Sequence, residues 1–411
     1  MAKQPLGRTV ISMRNWTNYT ISRILPGICI AVSVTLLAAR PEIGAVYFPD
    51  YHPNDAWNMK IHGGPWSEWN LVKAGVPRWK GHKQPLKPVW GYVDESDPKV
   101  MERAIDAMAD HGIDFVMFDW YWYDGGPFLE NALNNGLLKA KNRNRLKFFL
   151  MWANHDWGNY PVHRHGAVML RFWKPTDEQF EKACRHIIDD YFSQPNYMKT
   201  KKGEPIFSIY DLWGFCCAAG GYAGGMKRLQ LLRKWTKDAG YPGLHINVHS
   251  CGVYNAKEMK VVLDENWGYD SVTTYSLCHH WRCTGRETDF NVVNDDYVNR
   301  ILPDIVKKLK VPYYPTATIG WDSTARGTVS EPWAWDKYPW LPVITGSTPA
   351  NFKRLLMRLK NDAEKNRTEM ILVNSWNEWT EGSVLEPEEE FGFGFLEAIR
   401  DVFGLKKDDS K

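Results

Sequence analysis

The sequence predicts an α/β fold, a single (β/α)8 barrel with enlarged loops after its strands. Eight short apolar runs alternate with segments of helical period along the chain. The runs are apolar throughout, as in strands that a parallel sheet buries on both faces. With 411 residues, of which 44% are hydrophobic and 24% charged, the chain is long enough to bury the core of such a barrel.

The predicted strands follow one another at regular intervals. In chain order they are IGAVYF at 43–48, IDFVMF at 113–118, KFFLMW at 147–152, PIFSIY at 205–210, LHINV at 244–248, SVTTY at 271–275, YYPTATI at 313–319 and MILVN at 370–374. Asp97 and Pro98 open a helix between the first two strands, and Gly112 closes it. Thr176 and Gln179 form the signature of a capping box before another helix. An open doubly wound sheet is the competing architecture, but the glycine-rich phosphate loop expected after its first strand is missing.

Residues 1–39 are predicted to be a signal peptide or another N-terminal hydrophobic segment. Residues 24–39 form an uncharged apolar run that ends in two alanines, and four basic residues but no acidic residue precede it. This order is typical of a secretory signal, and the run is shorter than the ~20 residues of a membrane span. We therefore expect a catalytic barrel domain at residues 40–411 and a secreted or periplasmic protein. An uncleaved anchor, a buried helix and a true start at Met13 stay open.

The charge balance argues against two classes of partner. The formal charge of +3 falls to −1 once the four basic residues of the first 39 are removed. A protein without a basic surplus has little affinity for nucleic acid or for an acidic membrane surface. We predict no nucleic-acid partner and no stable membrane association after signal cleavage, and the oligomeric state stays open.

Six cysteines follow residue 39, and they allow more than one interpretation. They are Cys184, Cys216, Cys217, Cys251, Cys278 and Cys283. An oxidising compartment would allow one or two disulfides among them, with the pairing open. The segment CHHWRC at 278–283 also suggests zinc, but its spacing is unusual and no second cluster completes four ligands. The prediction is therefore no metal and no cofactor.

Aromatic and polar residues follow nearly every predicted strand. In a (β/α)8 barrel the active site lies at these C-terminal strand ends. Aromatic rings pack on the C–H faces of sugars while carboxylates, amides and imidazoles bond the hydroxyls, so this mixture predicts a carbohydrate cleft. The predicted substrate-binding residues are Tyr47, Asp50, His52, Trp69, Asp119, Trp120, Trp122, Asn154, His155, Asp156, Tyr275, Trp321, Asn377, Trp379 and Glu386. Burial in the core is the alternative for the tryptophans, which number 21.

The segment NSWNEWTEG at 374–382 holds the predicted catalytic pair, Glu378 and Glu381. Glycoside hydrolysis uses two carboxyl groups, one of which protonates the leaving oxygen while the other acts on the opposite side of the sugar ring. The chain turns into a loop here, and Gly382 lets both side chains face one cleft. The three consecutive glutamates at 388–390 are more typical of a solvated face. Motifs of serine or cysteine nucleophiles are missing from the sequence.

Several segments together resemble a known family. IGAVYFPDYHPND, GPWSEWNLV, GIDFVMFDWYWYDG, FFLMWANHDW and NSWNEWTEGSVLEP are similar to segments of the WbsX-like family, whose barrel resembles that of glycoside hydrolase family 99, the endo-α-mannosidases and endo-α-mannanases. The resemblance spans residues 43–390 and implies a retaining hydrolase acting on an internal α-linkage of a polysaccharide or glycan. It also implies that Glu378 deprotonates the 2-hydroxyl of the sugar, which displaces the leaving group through an epoxide-like intermediate. Glu381 would act as general acid and then as general base.

Two other functions stay open. WbsX-like proteins are also described as glycosyltransferases of polysaccharide biosynthesis. The predicted export signal argues against that function, because cytoplasmic nucleotide-sugar donors would be out of reach. A non-catalytic glycan-binding barrel would keep the cleft, but it would not need both Glu378 and Glu381. The identity, linkage and decoration of the sugar, and endo or exo action, stay open.

Overall fold

The computed structural model describes residues 20–21, 32–33, 40–249, 268–277, 285–334 and 337–405. The chain divides into two compact units, residues 1–39 and 40–411. In the first unit, Thr20–Ile21 pairs antiparallel with Val32–Ser33. The predicted signal peptide otherwise lies outside the described residues and stays a prediction. Within the described ranges, every helix is too short or too polar to cross a membrane.

In the part of the second unit that the structure describes, nine parallel strands form the barrel sheet. They are β1 Glu42–Tyr47, β2 Phe115–Tyr123, β3 Lys147–Trp152, β4 Ile206–Ile209, β5 His245–His249, β6 Ser271–Thr273, β7 Tyr313–Tyr314, β8 Thr316–Thr318 and β9 Met370–Asn374. Their order across the sheet is β7-β6-β5-β4-β3-β2-β1-β9-β8. Because β7 and β8 are consecutive in the chain, the two edges of the sheet meet and the barrel is nearly closed. The predicted barrel is confirmed.

Pro315 divides the predicted seventh strand into two. Tyr313–Tyr314 pairs with β6, and Thr316–Thr318 pairs with β9. A proline has no N–H to donate to a sheet ladder, although the Pro315 carbonyl accepts from the Leu372 N–H at 3.0 Å. The eight strands expected from the sequence are therefore nine in the structure, along the same extended segments.

Helices and short strands occupy the connections between the barrel strands. Among the described residues, the α-helices are α1 Ala56–His62, α2 Trp69–Ala74, α3 Pro98–Asp110, α4 Asp177–His186, α5 Leu212–Ala218, α6 Tyr222–Asp238, α7 Phe290–Asp296, α8 Leu302–Lys308, α9 Pro349–Asn366 and α10 Gly394–Phe403. One-turn π-helices lie at Ala132–Gly136, Ile187–Tyr191 and Tyr297–Ile301, and 3-10 turns at Leu137–Lys139, Arg143–Arg145, Ser323–Arg326 and Trp379–Glu381. Short strands lie at Gly126–Phe128, Trp157–Gly158, Met169–Arg171, Glu287–Asp289, Val343–Thr345, Asn377–Glu378 and Ser383–Val384.

The helix starts read from the sequence are confirmed. The Asp97 carboxylate accepts from the N–H of Lys99 at the start of α3. Thr176 and Gln179 make both reciprocal bonds of a capping box before α4. Each bond satisfies an N–H group that has no partner within its helix.

Candidate active site

The C-terminal ends of the barrel strands enclose a cavity of about 610 Å³. Small-molecule sites commonly span about 300–1,000 Å³. Seven of the predicted residues line it: Asp119, His155, Asp156, Tyr275, Trp321, Glu378 and Glu381. Further rings come from Phe48, Tyr121, Trp157, Tyr160, Tyr210 and Tyr338. The wall of the cavity thus combines carboxyl groups with aromatic faces.

The turn after β9 brings both glutamates to this cavity. Asn377–Glu378 pairs antiparallel with Ser383–Val384, and the 3-10 turn Trp379–Glu381 connects them. Gly382 ends the turn at a φ of 65°, which glycine adopts without strain. A Cβ atom on Gly382 would lie 2.8 Å from the Cβ of Asp322. This tight turn explains how side chains three residues apart both reach the cavity.

One arginine lies between the two glutamates. Arg326 Nη1 is 2.5 Å from Glu381 Oε1, and Arg326 Nη2 is 3.4 Å from Glu378 Oε2. Nη2 also donates to both carboxylate oxygens of Glu68, at 3.0 and 2.9 Å. All four side chains are buried. A guanidinium presents its N–H groups in a rigid plane, so Arg326 holds the two glutamates at fixed positions relative to each other.

Two tyrosine hydroxyls also contact the glutamates. The Tyr338 hydroxyl is 2.9 Å from Glu381 Oε1. The Tyr275 hydroxyl is 2.8 Å from Glu378 Oε1 and 3.0 Å from Asp119 Oδ2. Each glutamate therefore has a phenol of its own in addition to the shared guanidinium.

Burial changes the proton affinity of both glutamates. It raises the pKa of Glu378 well above the usual value, and the charge of Glu381 raises it further while Arg326 opposes the shift. Burial also raises the pKa of Glu381, although Arg326 and the Tyr338 hydroxyl lower it. Two carboxyl groups this close do not both ionise readily. The pair can therefore hold a proton at a pH at which an exposed glutamate is ionised, as general acid catalysis requires.

Ten predicted residues do not line the cavity, and several of them support the glutamate turn. The ten are Tyr47, Asp50, His52, Trp69, Trp120, Trp122, Asn154, Asn377, Trp379 and Glu386. The Asn377 amide accepts from the Phe48 N–H at 2.8 Å and donates to the Phe48 carbonyl at 2.7 Å. Trp379 Nε1 donates to Glu386 Oε2 at 2.9 Å. These bonds hold the turn against the residue that follows β1 and against the segment that follows the turn.

Five of the others are buried with partners inside the protein. Tyr47 stacks on Phe118 at 4.8 Å, Asp50 accepts from Asn58, His52 contacts Asn54, Trp69 donates to the Val93 carbonyl, and Asn154 bonds the main chain of Asp211. Asn154 thereby joins the loop after β3 to the loop after β4. A direct contact of these side chains with a substrate stays a prediction.

Trp120 and Trp122 lie on the face of β2 that points away from the cavity. Successive side chains of a strand point to opposite faces, and Asp119 and Tyr121 line the cavity. Trp120 Nε1 donates to Glu130 Oε1 at 2.7 Å, and the ring of Trp122 stacks on that of Trp120 at 5.7 Å. The strand runs five residues further than the predicted 113–118 because its end pairs with a short antiparallel strand.

Alanine substitutions should have different effects at tryptophans that face away from the cavity and at those that line it. Trp120→Ala should lower the free energy of unfolding by about 3–5 kcal/mol, because it removes a buried indole. Trp157, which lines the cavity, should lose oligosaccharide affinity on the same change. Denaturant unfolding and binding titrations measure the two effects. A Trp120→Ala protein with the parent's stability and a lost affinity would instead place that indole in a sugar subsite.

Glu386 is buried next to the glutamate turn, and its burial should make the free energy of unfolding depend on pH. Burial raises the pKa of Glu386 from 4.5 to about 7, although the hydrogen bond from Trp379 lowers it. The folded protein therefore binds a proton that the unfolded chain has released between these two values. The free energy of unfolding should fall as pH rises through this window, by at most about 1.4 kcal/mol per pH unit.

Glu386→Gln should remove this part of the pH dependence. The amide oxygen can still accept from Trp379, and no charge has to be buried at high pH. The variant should exceed the parent in stability at pH 8 and match it more closely at pH 5, as measured by urea unfolding. Glu389→Gln, an exposed neighbour, is the control. Equal slopes for the Glu386→Gln protein and the parent would contradict the prediction.

Glu68, Arg326 and Tyr338 are absent from the predicted set. Glu68 lies in the segment WSEWN, where a glutamate next to a tryptophan repeats the pattern of NEWTE, and that likeness could have indicated it. Arg326 lies in a 3-10 turn with no recognisable local motif. Arg78, from the loop after β1, donates to the carbonyls of Thr324 and Thr328 at 2.9 Å. It thereby holds the segment that carries Arg326.

Three of the six cysteines after residue 39 lie in the described residues. Cys184, Cys216 and Cys217 are free thiols, whereas Cys251, Cys278 and Cys283 lie outside the described residues. The segment CHHWRC at 278–283, considered for zinc, lies outside them as well. Over the ranges that are described, no cluster of three or more metal-binding side chains occurs.

Comparison with known proteins places the chain in a family. A family model described as Glycosyltransferase WbsX matches residues 43–399. The chain belongs to the WbsX family. This WbsX chain is 25% identical over 375 residues to WxcX of Xanthomonas campestris pv. campestris, a protein described as uncharacterised. The match covers 87% of this chain and 48% of WxcX, so the chain spans about half the length of the curated relatives it matches.

Two solved structures are similar in fold to this WbsX chain. The GH99 endo-alpha-mannosidase from Bacteroides thetaiotaomicron is similar with a TM-score of 0.50 and 15% identity, over 88% of this chain and 96% of that one. A glycoside hydrolase-like protein gives a TM-score of 0.55 at 15% identity, over 90% and 95%. The WbsX chain therefore has a barrel fold shared with glycoside hydrolases, and the resemblance drawn from the sequence is confirmed.

Proposed function

We propose that this protein is a glycoside hydrolase that cleaves an internal, α-type linkage of a polysaccharide or glycan. The observation that carries the proposal is the pair Glu378 and Glu381, which face one cavity and share the guanidinium of Arg326. Two such carboxyl groups are the chemical requirement of glycosidic cleavage. The fold that the chain shares with glycoside hydrolases supports the same function.

In the proposed reaction the two glutamates move separate protons. Glu378 takes the proton of the sugar 2-hydroxyl, and the resulting oxygen attacks the anomeric carbon. Glu381 gives its proton to the departing glycosidic oxygen. It then takes a proton from the water that opens the three-membered ring, while Glu378 returns its proton to the 2-oxygen. The anomeric configuration is retained, since the carbon is attacked twice.

The cavity wall supports a sugar as the substrate. Tyr121, Trp157, Tyr210 and Trp321 line it, and aromatic rings of this kind pack on the C–H faces of pyranose rings. Asp156 supplies a further carboxylate at the same wall, which can accept hydrogen bonds from hydroxyl groups. These groups give the site both the apolar and the polar contacts that sugar recognition uses.

The proposal is tested by incubating the purified protein with a panel of α-linked polysaccharides and measuring new reducing ends. We expect oligosaccharide release from at least one member and none with Glu378→Gln. Glu389→Gln, an exposed glutamate, serves as the matched control. Sugar transfer from nucleotide-sugar donors without hydrolysis would favour the glycosyltransferase that the family description names. Binding without turnover would favour a non-catalytic glycan-binding barrel.

Export is a second part of the proposal. The basic residues and the apolar run before residue 40 have the order of a secretory signal, and a secreted or periplasmic hydrolase would meet polysaccharide directly. N-terminal sequencing of the protein made in its own host should begin near Arg40. An intact cytoplasmic chain that begins at Met1 would contradict export and would strengthen the glycosyltransferase alternative.

A further inference from the structure

We propose that Asp119 carries a proton in the resting site and that, through Tyr275, it keeps Glu378 ionised. Asp119 is then a positioning residue whose neutral acid orients the Tyr275 hydroxyl toward the base. The role of Glu378 as the base rests on the proposed function. The location of the proton is a property of the substrate-free protein and can be tested without it.

The Tyr275 hydroxyl contacts two carboxyl groups at once. It lies 3.0 Å from Asp119 Oδ2 and 2.8 Å from Glu378 Oε1, and all three side chains are buried. Burial, followed by the charges of Asp119 and Glu378, raises the pKa of Tyr275 well above its usual value, so its hydroxyl keeps its hydrogen. A phenol has one hydrogen to donate. The second contact is a hydrogen bond only if that carboxyl is protonated and donates to the phenol oxygen.

The surroundings decide which of the two carboxyl groups holds the proton. Glu378 has a second donor, Arg326 Nη2 at 3.4 Å, which compensates a negative charge. Asp119 Oδ1 is buried, and none of the residues that the structure describes forms a hydrogen bond with it. An ionised Asp119 would be a buried charge with a single donor, whereas a protonated one leaves only a neutral carbonyl oxygen unpaired, which is less unfavourable. The proton therefore belongs to Asp119.

The other charged groups around Asp119 act in both directions, and burial outweighs them. Burial raises the pKa of Asp119 well above its usual value, and the charge of Glu381 raises it too. The charge of Arg326 lowers it, and so would a hydrogen bond donated by Tyr275, which only an ionised Asp119 would receive. Tyr121, on the same strand, is neutral because burial raises the pKa of its hydroxyl. The balance keeps the proton on Asp119 while Tyr275 donates to Glu378.

Infrared spectroscopy of the full chain without substrate locates the proton. A protonated carboxyl absorbs apart from carboxylates, and isotopic labelling of the aspartate side chains separates their bands from those of glutamate. We expect one protonated-aspartate component to disappear in Asp119→Asn. Asp50→Asn, a change at another buried aspartate, is the matched control and should leave that component in place. An unchanged spectrum in the Asp119→Asn protein overturns the inference.

A second variant covers the case in which Asp119→Asn does not fold. Tyr275→Phe removes the oxygen to which Asp119 donates, so the Asp119 component should shift in frequency. Tyr123→Phe is the matched control, because Tyr123 is another buried tyrosine whose hydroxyl bonds the His155 carbonyl at 3.0 Å. An Asp119 component at the same frequency in the Tyr275→Phe protein and the parent would also overturn the inference. Neither result depends on whether the protein hydrolyses a glycan.

Kinetics adds a readout once a hydrolysed substrate is available. An asparagine amide can donate to Tyr275 as a carboxylic acid does. Asp119→Asn should therefore keep kcat/KM within about tenfold of the parent. Loss of a working acid or base typically costs about 10²–10⁴-fold. Tyr275→Phe should move the acidic limb of the pH profile to higher pH, because the Glu378 carboxylate loses a donor. A loss of that larger size in Asp119→Asn would show that Asp119 works ionised.

Discussion

Replacement of Glu381 by glutamine should lower turnover of natural glycosidic linkages by about 10²–10⁴-fold and affect activated aryl glycosides much less. Glutamine cannot give a sugar leaving group the proton it needs, whereas an aryloxide departs without one. The amide oxygen can still accept from Arg326 and Tyr338, so the fold should be kept. Initial rates on a matched pair of natural and aryl substrates measure the difference. Equal losses on both substrates would contradict the role of general acid.

Glu378→Gln should behave differently from Glu381→Gln. If Glu378 takes the proton of the 2-hydroxyl, the variant should turn over neither class of substrate, and a 2-deoxy or 2-fluoro substrate should be inert even with the unmodified protein. A sugar trapped covalently on Glu378 would show instead that it is a nucleophile. A variant that loses stability but keeps its rate would assign Glu378 a structural role at the end of the strand.

Arg326→Met should be the most destabilising change in the cavity. It removes the cation shared by Glu68, Glu378 and Glu381 and leaves their buried carboxyl groups uncompensated, which costs about 3–5 kcal/mol of unfolding free energy. Turnover should also fall by about 10²-fold or more, since the two glutamates lose the group that fixes their relative position. Arg326→Lys keeps the charge but loses the planar fork, so it should restore stability better than activity.

The stability defect of Arg326→Met should depend on pH. Without the arginine, the pKa values of Glu378 and Glu381 rise beyond the raised values that burial already produces. A raised pKa in the folded state gives stability at low pH that is lost as pH rises. Urea unfolding should therefore show the smallest defect in acid and the largest at alkaline pH. Arg145→Met is the control, since exposed Arg145 contacts two aspartates at the surface and should cost at most about 1 kcal/mol. A defect independent of pH would contradict the assignment.

The barrel and its site differ in how far neighbouring residues specify them. The apolar run MILVN and the segment NSWNEWTEG are each contiguous, so they indicate a strand end with two carboxylates before any contact is known. Pro315 is equally visible in the sequence, but its effect depends on which neighbours the strand pairs with on each side. The tryptophans of β2 show the same dependence. The sequence shows that they are aromatic residues near a strand end. The pleat and the length of the strand decide that Asp119 and Tyr121, and not these tryptophans, face the cavity.

By itself, the sequence determined the alternation of buried strands and helices and the three-residue spacing of Glu378 and Glu381, because these follow from neighbouring residues. Only the tertiary structure decided what surrounds that pair. Glu68 and Arg326 are 258 positions apart and meet because the loops after β1 and β8 converge at one end of the barrel. The same convergence sets the burial of the carboxyl groups and their proton affinities. No local pattern encodes such contacts, since they arise when the closed sheet brings its strand ends together.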